Sequence, residues 1–160
     1  MKHSIQIIAL TLLISLISVS TLHAAVLYVP SEYPTIQAGI DSAVSGDTVL
    51  VADGTYSGQG NYAIDFRGKA ISLESENGAD HCVIDCNWSG WGFNFHSGED
   101  RSSVVRGFTI INGSGFKGGG IVCMGSSPQI IDCVLTRNVS QSRGAGIYCD
   151  NGSDPEITRC

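Results

Sequence analysis

The sequence predicts an all-β fold, a right-handed parallel β-helix (solenoid) with a short N-terminal amphipathic capping helix, on three observations. The first is a repeat. Residues 104–123 (VVRGFTIINGSGFKGGGIVC) and 130–149 (IIDCVLTRNVSQSRGAGIYC) align without a gap at an offset of 26, with Gly120 on Gly146, Ile121 on Ile147, Cys123 on Cys149 and Asn112 on Asn138. SSPQIIDC (126–133) then returns as SDPEITRC (153–160) at an offset of 27. A fixed period in the twenties marks a chain wound in stacked coils. The second observation is composition: 20 of 160 residues are glycine and strong helix formers are sparse. The third is punctuation, since short β-branched runs are separated by Asn, Gly, Ser and Asp.

Residues 1–24 read as a secretory signal peptide. Lys2 and His3 open it, an apolar run from Ile5 to Val19 follows, and Leu22-His23-Ala24 offers a cleavage site. The run is shorter than the ~20 apolar residues a membrane-spanning helix needs. Residues 25–160 are then the mature domain, a cap over 25–56 and coils over 57–160. Without Lys2 the chain carries 8 basic and 15 acidic residues, a net charge of −7. That balance argues against nucleic acid as a partner.

The cap opens with a strand at Val26 to Val29. Pro34 suits a helix start, and Ile36, Ile40, Ala43 and Val44 form one apolar helix face, with Gly46 as the residue that ends it. Thr48 to Ala52 is a second strand, turned by Asp53-Gly54. A helix here has a physical task, because the first coil would otherwise expose its interior and its strand edges. The coil strands follow at Ala70 to Leu73, Cys82 to Asp85, Gly92 to Phe95, Ser103 to Ile110, Gly120 to Cys123, Pro128 to Thr136, Gly146 to Cys149 and Pro155 to Cys160.

Three columns are expected where coils stack at about 4.8 Å. Val83, Val104, Ile130 and Ile157 form an inward β-branched ladder, and Cys86, Gly107, Cys133 and Cys160 a second inward ladder of small residues. These lie three residues apart, so a bend must separate them. At the bend, Asp85, Arg106, Asp132 and Arg159 form a column of alternating charge, read as structural.

GGGIVC…SSPQIIDC and GAGIYC…DPEITRC resemble the right-handed parallel β-helix repeats of the pectin-lyase-like superfamily, and YPTIQAGIDSAVSGDTVLVADGTY is similar to its N-terminal cap. The likeness spans residues 26–160. The resemblance implies polysaccharide lyases, esterases or hydrolases with sites on the outer face of the coils. The polygalacturonase-like Asp pair with its Gly-His-Gly and Arg-Ile-Lys companions has no match. A pectinesterase-like start survives as Asp53-Gly54-Thr55-Tyr56, but its Gln-Asp motifs do not, and no catalytic role is carried over. Asp85 and Asp132 could imitate a pectate-lyase calcium site, although Arg106 between them already neutralises both.

The six cysteines all lie in the mature part. Cys123 with Cys149, and Cys133 with Cys160, share columns, which suits either disulfides or a ladder of buried thiols; side-by-side Cβ atoms favour thiols. No Cys-x-x-Cys is present and the four histidines are scattered, which speaks against zinc. Trp88 and Trp91, in an Asn- and Ser-bearing loop, are the candidate binding residues, either as indoles that stack on sugar rings or as a cover over the coil. Asn87, Asn112, Asn138 and Asn151 each open an Asn-x-Ser sequon.

The repeat continues up to Cys160 with no polar cap, so a truncated chain is expected, or end-to-end self-association through the last coil. The expected function is a secreted or cell-surface module, non-catalytic, that binds polysaccharide or serves as an adhesin or stalk. The alternatives are a carbohydrate-active enzyme, a pectin-type lyase or esterase whose site lies mostly outside these residues, and a structural spacer. No cofactor is expected, calcium entering only with the lyase.

Overall fold

A computed structural model describes residues 23–160; apart from its last two positions, the leader lies outside them. Fifteen strands and one helix follow in the order β1 (Val26–Val29), α1 (Ile36–Ser42), β2 (Thr48–Val51), β3 (Gly54–Ser57), β4 (Ser72–Ser75), β5 (Cys82–Asp85), β6 (Phe93–Phe95), β7 (Val104–Arg106), β8 (Thr109–Ile111), β9 (Ser114–Lys117), β10 (Ile121–Met124), β11 (Gln129–Ile131), β12 (Val134–Thr136), β13 (Val139–Arg143), β14 (Ile147–Asp150) and β15 (Glu156–Thr158). All pairings between named strands are parallel. Six strands, β1-β2-β4-β7-β11-β15, stack as one wall. The chain therefore returns to that wall after each of about five turns, which is a parallel β-solenoid. The second wall is β3-β5-β8-β12 and the third is β6-β10-β14. A short stack of β9 and β13 projects between the second and third.

The interior follows from period-two alternation. On the first wall Leu27, Val49, Leu73, Val105, Ile130 and Ile157 are successive register partners. On the second, Tyr56, Ile84, Ile110 and Leu135 are. The anticipated ladder is therefore right at Ile130 and Ile157 and wrong at two places. Val105, not Val104, stands beside Ile130, and Val83 lies in the second wall beside Thr55 and Thr109. The physical reason is an uneven coil length. Register runs at 25 residues from β7 to β11, and a bulge between Ser140 and Arg143 adds the residue that restores 26 by β10 and β14. The small-residue column shifts for the same reason: Phe108, buried, holds the place of Gly107, because Val134 N–H bonds Phe108 C=O just after Cys133. Cys86 sits at a different corner, where its N–H bonds Ile111 C=O.

The bend between those columns is real. Gly107 (φ 78°), Asp132 (φ 53°) and Arg159 (φ 51°) adopt left-handed backbone at one corner of successive coils. Three strands went unread in the sequence: β3, whose Asp53-Gly54 reads as a turn, and β9 (SGFK) and β13 (VSQSR), which lack a β-branched run.

The helix seals the first coil. Thr35 caps it by accepting Ala38 N–H at 3.2 Å, and Ile36, Gly39 and Ile40 are buried. It ends at Ser42 rather than near Gly46, and Val44 is half exposed instead of inward. The cause is Asp47, whose carboxylate takes the N–H groups of Val44 and Ala25, both at 2.8 Å, and draws the chain off the helix into β2. These bonds, Val44's first, hold its pKa below the usual value. The free edge of β1 is closed as well: Glu32 Oε2 accepts Tyr28 N–H at 3.1 Å, and the N–H groups of Glu32 and Tyr33 bond Tyr28 C=O.

Candidate functional site: the Trp88 corner

The Trp88 corner is built from Asp85, the last residue of β5. Its Oδ1 accepts Asn87 N–H at 2.9 Å and Asn112 Nδ2 at 2.9 Å from the next coil. Ser89 N–H bonds Cys86 C=O at 2.9 Å and Trp88 N–H bonds Asn112 C=O at 2.8 Å. The turn so held puts two successive residues in left-handed backbone, Asn87 (φ 48°) and Trp88 (φ 58°). Asn tolerates that region, but a large aromatic does so at a cost of order 1–3 kcal/mol. The strained side chain is not spent on the core, for Trp88 is 52% exposed.

Trp91, three residues on, behaves differently. It is half-buried, and its Nε1 donates to Lys117 C=O at 3.0 Å. Its ring fills a slot over Gly115, where a Cβ would lie 2.2 Å from Trp91 Nε1. The loop therefore contains one projecting indole and one strut that props β9. The sequence places both in a single loop and cannot separate them, since the slot is made by a glycine 24 positions away.

A second polar group was not anticipated. Tyr148 Oη donates to Asp150 Oδ2 at 2.6 Å, Lys117 Nζ lies 3.4 Å from the same oxygen, and Lys117 Nζ stands 5.3 Å from the Tyr148 ring centroid. The Tyr148 hydroxyl, then the Asn151 N–H and Lys117, hold the Asp150 carboxyl below its ordinary value; Lys117 is raised, by Tyr148 first and then Asp150. The alternation of Tyr148 and Asp150 on one strand face was visible in the sequence, but Lys117 arrives from a different coil. The three groups satisfy one another.

The alternating charge column is only partly assembled. Arg159 bonds Asp132 through Nε and Nη2, and Arg106 Nη1 lies 4.0 Å from Asp132 on the other side. Asp85 belongs to the second wall and is not in that column. Asp85 and Asp132, the carboxylates a calcium site would need, are thus on different walls, and among the described residues no group of three or more His, Cys, Asp or Glu is placed to hold a metal ion. An open depression of about 420 Å³ lies elsewhere, lined by Asp100, Arg101, Ser102, Ser127 and Asp154. Arg101 is already paired there with Asp154 at 3.4 Å and Glu156 at 3.7 Å.

The sequon asparagines divide too. The Asn138 amide is used on both sides, accepting Gly113 N–H at 2.7 Å and donating to Ile110 C=O at 3.0 Å. Asn87 and Asn151 are exposed. All six cysteines are free thiols. No helix among the described residues is long and apolar enough to cross a membrane.

The chain matches no protein-family model, no curated protein and no solved structure.

Proposed function

We propose that this chain is a secreted or cell-surface module of the pectin-lyase-like kind that retains polysaccharide without acting on it, through the indole at the corner of its coil. One observation carries the reading: Trp88 combines left-handed backbone with a half-exposed ring. Backbone strain kept under a side chain that packs only partly is ordinarily tolerated for a task outside the core. A rigid indole offers a flat apolar face to a sugar ring at low entropic cost, and Asn87 and Ser89 beside it offer hydrogen-bonding groups to hydroxyls. The solenoid supplies the rigid frame that holds the corner. The acidic surface disfavours nucleic acid as the retained polymer.

The test is retention of the purified chain on a panel of insoluble plant and microbial polysaccharides. Trp88→Ala should abolish retention on whichever polymer holds the wild type, while Trp91→Phe, which keeps a ring in the slot, should leave it intact. Equal retention of wild type and Trp88→Ala overturns the proposal.

A further inference from the structure

We propose that Cys123 and Cys149 are a redox clasp between adjacent coils, closed by a small-molecule disulfide oxidant and reopened by thiols. The two are register partners on β10 and β14. Parallel neighbours stand about 4.8 Å apart at Cα, inside the range a disulfide spans. Both are on the strand face that turns into the coil, with Cys123 fully buried and Cys149 exposed. Register partners on parallel strands send their side chains to the same face, so the two thiols leave neighbouring strands side by side.

The chemistry runs in two exchanges. Cys149, the accessible thiol, loses its proton and attacks one sulfur of the oxidant, forming a mixed disulfide and expelling one thiolate. Cys123 then loses its proton and attacks the Cys149 sulfur of that mixed disulfide, expelling the second thiolate. Two cysteine thiols are oxidised, one external disulfide is reduced to two thiols, and atoms and electrons balance. Burial raises both thiols above their ordinary pKa, so thiolate is scarce at neutral pH and closure accelerates as pH rises. In-register Cβ atoms point side by side rather than toward each other, so the closed bond is strained and readily reduced. That makes the pair a reversible clasp rather than a permanent staple.

The Cys133 and Cys160 pair is the internal control. There the Cys160 sulfur is turned to backbone, accepting Cys133 N–H at 3.4 Å and donating to Thr158 C=O at 3.4 Å, while Cys133 Sγ donates to Ile131 C=O at 3.3 Å.

The folded protein is incubated with oxidised glutathione near the ordinary thiol pKa of about 8.5, then denatured, alkylated and mapped by mass. The expected result is the loss of two alkylatable thiols and a peptide cross-link between Cys123 and Cys149, reversed by reduced glutathione. Cys149→Ser should lose none, and Cys160→Ser should behave as the wild type. Six thiols still alkylatable in the wild type, or a cross-link mapped to any other pair or between chains, overturns the clasp; because the wild type alone decides this, a misfolded variant does not blur the outcome.

Discussion

Arg159 grips Asp132 with a two-pronged contact one coil apart, Nη2 donating to Oδ2 at 2.8 Å while Nε donates to Oδ1, and both residues sit in left-handed backbone. The corner thus sets two effects against each other, an exposed charge pair and a conformational cost. Exposed pairs are weak and screened. Arg159→Ala should therefore shift the urea midpoint only slightly, and the shift should vanish at about 1 M salt. At Asp132 the backbone matters more: Asp132→Gly should be less destabilising than Asp132→Ala, the reverse of the usual order in a strand, because only glycine adopts that φ freely. Equal midpoints for the two variants would mean the corner relaxes once the pair is gone.

Lys69 closes the other end of the molecule's first coil. Its Nζ donates to the carbonyls of Ile40 (2.7 Å), Asp41 (2.8 Å) and Ala43 (2.8 Å), the C-terminal acceptors of α1. A charged donor at a helix C-terminus satisfies orphan carbonyls and favours the helix dipole. Lys69→Met keeps the stem and removes the bonds. It should cost about 1.5–3 kcal/mol in urea unfolding, with loss of the small helical signal in circular dichroism before the sheet signal. Simultaneous loss of both signals would show that cap and coils unfold as one unit.

Glu99 is a buried carboxylate, only 2% exposed, that ties three coils. It accepts Gly68 N–H at 2.8 Å, Ser97 N–H at 2.9 Å and the Ser126 hydroxyl at 2.8 Å. Burial pushes its pKa up, but the donors, Gly68's and Ser97's N–H groups first, outweigh that and hold it below the ordinary value. A carboxylate with a lowered folded pKa contributes stability above its unfolded pKa, about 4.3, and loses it as pH falls from there through the folded value. Glu99→Gln keeps the shape but turns an amide N–H toward donors. It should cost about 1–3 kcal/mol near neutral pH, with the gap to wild type narrowing below about pH 4 in denaturant titrations. A pH-independent gap would point to packing rather than charge.

The solenoid was legible because its repeat is chemical as well as numerical: Gly120 and Gly146, Ile121 and Ile147, Cys123 and Cys149 do align as register or near-register partners. What failed was counting across corners. A single bulge between Ser140 and Arg143 hides a 25-residue coil inside an apparent period of 26, and with period-two strands one residue exchanges Val104 for Val105 in the core. The candidate corner shows in the sequence only as its residues. Trp88 and Trp91 stand out, but the exposure of the one and the slot of the other depend on a left-handed turn fixed by Asp85 and Asn112 and on the bare backbone at Gly115, neither of which has a local sequence mark.

The strain at Trp88 can be measured apart from its indole. Trp88→Ala and Trp88→Gly remove the same ring and the same partial burial, so their difference reports the backbone alone. In extended strand, glycine would be the weaker of the two by roughly 0.5–1 kcal/mol. At φ 58° the order should invert, with Trp88→Gly more stable than Trp88→Ala by about 1 kcal/mol in urea unfolding. Both variants should lose polysaccharide retention to the same degree, because neither has a ring to stack. That combination, stability recovered and retention lost, is what separates a strained binding residue from a packing one. If Trp88→Gly is the less stable variant, the turn is not strained in solution and the indole serves as cover for the corner.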